Sequence, residues 1–491
     1  MPGFVRRLRI PALLLLICSV LVTTARAQIA PAEYAARRAA LRSELGEGLY
    51  LFTAGTDNAG RQNPDFRYLT GCLEPDGILL MLEHAGTSRD ILFLRPPRRG
   101  SSFDPAGSEL AEIGRRGGLE VKDLNDFESE LRELLPREVR VLITPLRSGD
   151  ETVAQIFEIM SQNTLFIRPV GGEEGLRFLS PSRELSRMRG LKSEAEIDLL
   201  QVASDITRLA QVAAMRTCEP GRNEFELQAV IEYTFARYGA QRPGFSSIIG
   251  SGSNSLVLHY SENTAFMAPD DVVVMDVGAE YFGYTSDVTR TIPVDGTFSP
   301  EQRDIYEIVL AANLACARLA ENAGTPYRVL RDEARRVLGE GLARIGLIEN
   351  PEATVPGRRS SQVGLYFYHG LGHGIGLEVH DSMPDEIIPG SCFTIEPGIY
   401  VRPDVVDRLG SGPEAEALGA RIAPAVAKYA NIGIRIEDSF AFTDRGLVCL
   451  SAGTPRTIAE IEAVMAGENL AEADRDTELV ELYRRYRIPP P

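Results

Sequence analysis

The chain has 491 residues, 44% of them hydrophobic and 25% charged, the composition of a soluble globular protein with a sizeable core and room for two or three domains. Its formal charge of −17 argues against nucleic acid and anionic lipid as partners, because both repel an acidic surface. Residues 1–27 read as a secretory signal: Arg6, Arg7 and Arg9 form a basic start, Ile10 to Val22 an apolar stretch, and Ala25-Arg26-Ala27 a cleavage site before Gln28. The stretch falls short of the roughly 20 residues of a spanning helix and contains Pro11, so no stable membrane insertion is expected after cleavage. The implied location is across the inner membrane, periplasmic or extracellular, and loss of the signal's four arginines takes the mature charge to −21. The remaining cysteines, Cys72, Cys218, Cys316, Cys392 and Cys449, are widely spaced, odd in number and free of any CxxC pair, which is the pattern of buried thiols rather than of a disulfide framework.

Pro31 to Leu45 has the spacing of an amphipathic helix, and Gly48 to Gly55, Gly77 to Leu82, Ile91 to Leu94 and Val139 to Thr144 read as strands. Alternation of helix and strand to about residue 180 predicts one α/β domain over 31–180. A second domain, 182–466, is expected to open on a helical pattern in which Ser193-Glu194-Ala195-Glu196 forms a capping box before Ile197 to Met215. Two β-rich segments, Asp271 to Gly278 and Tyr281 to Pro293, are separated by a short turn, and helices follow near Pro300 to Asn322 and Tyr327 to Ile345. Strand patterns return at Phe393 to Val401 and Gly433 to Thr443, so the domain predicts helices outside a curved antiparallel sheet and the whole chain an α/β (α+β) fold. Arg402 to Ala430 lacks clean periodicity and reads as a long excursion between strands, while 467–491 is a charged extension ending in three prolines.

Of the chain's five histidines, three fall in His369-Gly-Leu-Gly-His373-Gly-Ile-Gly-Leu-Glu-Val-His380-Asp381. The glycines permit close backbone approach, so the imidazoles can converge on a site rather than pack on a helix face. Carboxylates stand where apolar residues belong: Asp276 interrupts a run of valines, and Glu396 and Glu437 sit within strand patterns. A buried carboxylate without a counter-charge costs several kcal/mol. Arg290 and Arg435 could each neutralise one acid, but four acids with a histidine point to divalent cations. Asp276 and Asp287, eleven positions apart across a hairpin, can share one face of neighbouring strands. Arg435 lies two positions before Glu437 on one strand face, placed to hydrogen-bond a ligating carboxylate or to form a structural ion pair.

These residues resemble the M24, or pita-bread, metallopeptidase family, above all its aminopeptidase P branch, over roughly residues 31–466. The passages that carry the likeness are Asp65 to Gly71, Glu74-Pro-Asp76, His259-Tyr-Ser-Glu-Asn263, Asp276-Val-Gly278, Ser286 to Thr291, the His369 to Asp381 run, Thr394-Ile-Glu-Pro-Gly398 and Gly433 to Asp438. The resemblance implies an aminopeptidase P-type N-terminal domain and a pita-bread catalytic domain. It further implies metal ligands Asp276, Asp287, His373, Glu396 and Glu437 for two divalent ions, manganese first, with cobalt or zinc as substitutes. By the same likeness a metal-bridging hydroxide attacks the bond between an N-terminal residue and a following proline, Glu396 shuttles the proton, and His259, His369, His380 and Arg435 assist. The implied partners are peptides with proline second, and a homo-oligomer, dimer or tetramer, is implied. Two further readings share the fold: a prolidase, which cleaves only the dipeptide, and a non-catalytic binding module, against which all five ligand positions count. The passage from Tyr400 to Gly433 is longer than the family usually has.

Overall fold

The structure, a computed structural model, describes residues 29–55, 61–95, 114, 117–134, 139, 141–145, 177–467 and 478. The secretory signal and, residue 478 apart, the extension after 467 lie outside the described residues. The chain divides into two compact units, one over Ile29–Arg189 and the other carrying everything from Gly190 onward.

In the first unit a helix α1 (Pro31–Leu45) precedes strands β1 (Gly48–Thr53), β2 (Gly77–His84), β3 (Thr87–Leu94), β4 (Glu120–Asp123), β5 (Val141–Ile143) and β6 (Arg177–Leu179). Helices α2 (Pro64–Thr70) and α3 (Phe127–Leu134) lie between strands. The strands form one mixed sheet in the order β4-β3-β2-β1-β5-β6. Residues at period two, Leu49, Leu51, Ile78, Leu80, Ile91 and Phe93, face one way and pack with Phe127 and Leu131 of α3. Their alternates Tyr50, Phe52, Leu79, Met81 and Leu92 are also buried, so both faces of the sheet are covered. Helix α4 (Ser182–Arg189), which the sequence pattern assigns to the second domain, belongs to this unit. It is held there by an ion pair of 2.8 Å between buried Arg189 and Asp65 and by the buried side chain of Leu185.

The second unit begins with α5 (Glu194–Thr217), and the capping box read from the sequence is formed, Ser193 and Glu196 each bonding the other's backbone N–H. After α6 (Glu224–Arg237) come three antiparallel strands, β7 (Ile248–Ser251), β8 (Val272–Val277) and β9 (Val288–Pro293), in the order β9-β8-β7. The link from β8 to β9 is more than the short turn expected: it carries a second small hairpin, Ala279–Tyr281 against Tyr284–Thr285. At its root Gly278 passes so close to the returning chain that a Cβ would lie 1.7 Å from the Ser286 carbonyl oxygen, which glycine alone tolerates.

Helices α7 (Pro300–Ala320) and α8 (Tyr327–Arg344) follow, then β10 (Cys392–Ile395), β11 (Gly398–Tyr400), β12 (Gly433–Arg435), β13 (Asp438–Thr443) and β14 (Gly446–Cys449). The helix pair lies on these strands through Cys316, Ala320, Leu330 and Ala334 against Phe393, Ile395, Phe440 and Phe442. Burying each large apolar side chain in such a layer contributes about 1.5–3 kcal/mol. Neither predicted strand is continuous. Each breaks beside a glutamate, after Ile395 and after Arg435, so Glu396 and Glu437 stand in gaps of the ladder.

The segment 402–430 is not a structureless excursion. It holds α9 (Pro413–Tyr429), whose buried residues Ala415, Leu418, Gly419, Ile422, Val426 and Tyr429 recur at helical spacing. The pattern escapes a hydrophobicity reading because the packed face uses alanine and glycine, and because Pro424 stands within the helix. A last helix, α10 (Ile458–Met465), closes the described chain, and no described helix is long and apolar enough to cross a membrane.

Candidate active site

A cavity of about 280 Å³ opens in the second unit, lined by His259, Asp276, Asp287, His373, His380, Glu396 and Glu437 together with Phe245, Ile248 and Val379. Asp276 lies within β8 opposite Thr289 of β9, and Asp287 precedes Thr289 by two positions, so both carboxylates emerge on one face, as their spacing predicts. The Glu437 N–H donates to the Thr289 carbonyl over 3.1 Å and the Thr289 hydroxyl to Glu437 Oε2 over 2.7 Å, which lays the Glu437 segment along β9.

The histidine segment docks on β10. The Thr394 N–H donates to the His373 carbonyl and the Glu396 N–H to the Leu371 carbonyl. This approach depends on Gly372, where a Cβ would stand 2.4 Å from the Thr394 carbonyl oxygen. His373 Nδ1 faces the Gly374 carbonyl at 3.1 Å, an acceptor, so Nδ1 carries the proton and Nε2 is left as a lone pair. That Nε2 lies 3.5 Å from Asp287 Oδ2 and 3.7 Å from Glu396 Oε1. Asp287, His373 and Glu437 each bring one donor atom within 4.8 Å of the others, with Glu396 and Asp276 beside that cluster in the same cavity.

Charge is unbalanced here. Arg435 Nη2 bonds Asp276 Oδ2 at 2.6 Å, and Arg290 is taken up by Asp438 at 2.8 Å. Asp276 Oδ1, Asp287 Oδ1 and Glu437 Oε1 are buried with no donor among the described residues in reach. Burial, reinforced by the neighbouring carboxylates, pushes Asp287 and Glu396 well above the usual carboxylate range and Glu437 up to about 7. Burial, and second the His380 imidazole, holds His373 down at about 4, so it stays neutral and able to donate its lone pair. Orphaned carboxylate oxygens around a neutral imidazole nitrogen are the donor set of a hard divalent cation, and the residues present fit such a group.

The sequence profile of metallopeptidase family M24 matches residues 198–444, and that of the aminopeptidase P N-terminal domain matches 34–142. An Xaa-Pro aminopeptidase of Haemophilus influenzae is 34% identical over 424 residues, covering 82% of this chain and 88% of its own. The chain belongs to metallopeptidase family M24. The structure of Pseudomonas aeruginosa aminopeptidase PepP superposes with a TM-score of 0.76 at 30% identity, covering 90% of this chain and 99% of its own. A zinc-substituted Escherichia coli aminopeptidase P in complex with product gives 0.72 at 30% identity over 89% and 98%. The fold is that of aminopeptidase P, and the chain is a metallo-aminopeptidase of the M24 family.

Within this M24 site, two of the residues expected from sequence stand apart from the cavity lining. His369 is engaged behind it: Nδ1 faces the Gly370 carbonyl at 2.7 Å, so Nε2 accepts from the Tyr400 hydroxyl at 2.9 Å, and the ring packs edge-on against Phe367. Burial, then the Arg435 charge, keeps His369 neutral, pushed down to about 3. Arg435 acts through Asp276 rather than through Glu437, its sequence neighbour, and also donates to the Tyr400 hydroxyl over 3.0 Å. Tyr400 and Thr289 were not singled out from sequence, since a strand tyrosine and a strand threonine carry no signal of their own.

Proposed function

We propose that this chain is an Xaa-Pro aminopeptidase, a two-metal exopeptidase that releases the N-terminal residue of a peptide whose second residue is proline. The observation that carries the reading is the set of three donor-less buried carboxylate oxygens, on Asp276, Asp287 and Glu437, beside the free Nε2 of His373. The names of the sequence relatives, Xaa-Pro aminopeptidases, support the proline specificity. Asp276, Asp287, His373, Glu396 and Glu437 would hold two divalent ions. An oxygen-dominated donor set suits manganese, and the zinc-substituted relative supports tolerance of other ions.

Bound there, the ions supply Lewis acidity toward the scissile carbonyl and lower the pKa of water to near neutrality. The remaining work falls to the chain. His380 and His259, on the cavity wall, orient the substrate carbonyl and the proline side of the bond. The Glu396 carboxylate carries the proton to the leaving nitrogen. Phe245, Ile248 and Val379 offer an apolar wall to the proline ring, whose missing N–H and fixed φ defeat ordinary extended-peptide recognition. Export of the mature chain behind the 1–27 signal is part of the same proposal.

The test is hydrolysis of Gly-Pro beside Gly-Pro-Xaa tripeptides by the purified mature chain, with manganese and with chelator. Manganese-dependent release of glycine from the tripeptides is expected. Cleavage of the dipeptide alone would reassign the chain to prolidase activity, and cleavage of neither would leave it a binding module.

A further inference from the structure

Helix α7 is apolar on its buried face, yet Asn313 stands in the middle of that face and is wholly buried. A buried amide is costly unless its hydrogen-bonding groups are used. Asn313 uses its donor side alone: Nδ2 faces two backbone carbonyls, Ile395 O at 3.0 Å and Ile436 O at 3.4 Å, while Oδ1 meets no donor among the described residues. Each belongs to the residue immediately before a carboxylate of the metal site, Glu396 and Glu437.

The register explains why a side chain is needed there. Ile395 pairs with Asp438 and Gly398 with Arg435, so the two short ladders share one antiparallel register that sets Glu396 opposite Glu437 and Pro397 opposite Ile436. The Ile436 N–H donates to the Pro397 carbonyl over 3.3 Å. In an antiparallel pair of this type the second bond returns from the partner's N–H, which proline lacks. Asn313 Nδ2 stands where that donor is missing, on the very carbonyl that Pro397 leaves unanswered, and ties it to the carbonyl before Glu396.

We infer that Asn313 is a positioning residue of the metal centre: its amide replaces the ladder bond that Pro397 cannot make and fixes the separation of Glu396 and Glu437. Resting on the two-metal reading above, the inference adds a residue that touches neither metal nor substrate. Loss of the amide frees the gap in the ladder to open, and the two carboxylates lose their common geometry. Outer groups of this kind change metal affinity by about 10–100-fold.

The experiment is calorimetric titration of manganese into chelator-stripped wild type, Asn313→Leu, Asn313→Ala, Pro397→Ala and the double variant Asn313→Leu/Pro397→Ala, each first shown folded by circular dichroism. Asn313→Leu and Asn313→Ala are expected to weaken manganese binding at least tenfold. In the double variant the new backbone N–H at position 397 answers the Ile436 carbonyl, and affinity recovers in part. A merely structural role in the core gives no such recovery. Wild-type affinity in a folded Asn313 variant, or no recovery in the double variant, overturns the inference while leaving the metal reading intact. Failure of wild type to bind manganese overturns the metal reading and this inference with it.

Discussion

Arg435 Nη2 stands 2.6 Å from Asp276 Oδ2, both residues buried, beside a cavity that four carboxylates line. The guanidinium answers one oxygen of one acid, and the arrangement becomes balanced only with further positive charge. Removing one member of a buried ion pair typically costs about 3–5 kcal/mol, because the other is left uncompensated. Arg435→Ala is therefore expected to destabilise the metal-free chain by roughly that amount, and the manganese-loaded chain by less, as bound cations answer Asp276 instead. Urea unfolding with manganese and with chelator measures both; an equal loss in the two conditions contradicts the assignment.

Asp287 and Glu396 both line the cavity with their carboxylates, and Glu396 is in addition the proposed proton carrier. Asp287→Ala and Glu396→Ala are expected to abolish hydrolysis, with Asp287→Ala also losing bound metal. Metal analysis beside a peptide assay checks this, and wild-type turnover in either variant refutes the role.

His380 lines the cavity while its ring packs at a tilt of 55° against His373 with centroids 4.1 Å apart. His380→Ala is expected to lower kcat by about 10²–10⁴-fold if it stabilises the developing charge, with metal content near wild type. Unchanged kcat would return His380 to a packing role beside His373.

Metal-free protein also carries a pH signature. Asp287, Glu396 and Glu437 are raised above their unfolded values by burial first and mutual repulsion second, Glu437 from 4.5 to about 7. At these three carboxyls the folded chain holds more protons than the unfolded one above their unfolded values, whereas His369 and His373, held at about 3 and 4, hold fewer below 6.5. The two contributions offset one another below about pH 6.5, and above it the carboxyls' contribution to stability is lost as pH rises through about 7. In chelator the thermal midpoint is expected to fall as pH rises from about 6.5 through 7, whereas manganese displaces the protons and flattens the dependence. A metal-free midpoint that rises with pH over that range contradicts the burial of these carboxylates in one site.

Much of the site was legible because its signals are violations. Asp276 among valines, Glu396 and Glu437 in strand patterns, and histidines spaced by glycines all break the local rule for burial, and functional sites are where such breaks concentrate. The spacing of Asp276 and Asp287 also carried the geometry, since strand period two determines which residues share a face. What stayed hidden depends on long-range contacts. Nothing in the sequence near Tyr400 says that its hydroxyl joins His369 to Arg435, and Asn313 shows only as a polar residue in an apolar helix. Helix α9 was missed because its packed face is built partly from alanine and glycine, and α4, read as a helix, was assigned to the second domain because a helix pattern does not say which unit buries it.

The central claim is that five residues hold two metal ions, and diffraction at the manganese absorption edge from crystals of the mature chain grown with manganese tests it most directly. Two anomalous peaks are predicted in the cavity, within bonding distance of the side chains of Asp276, Asp287, His373, Glu396 and Glu437. No peak there, or peaks only at the protein surface, would contradict the account.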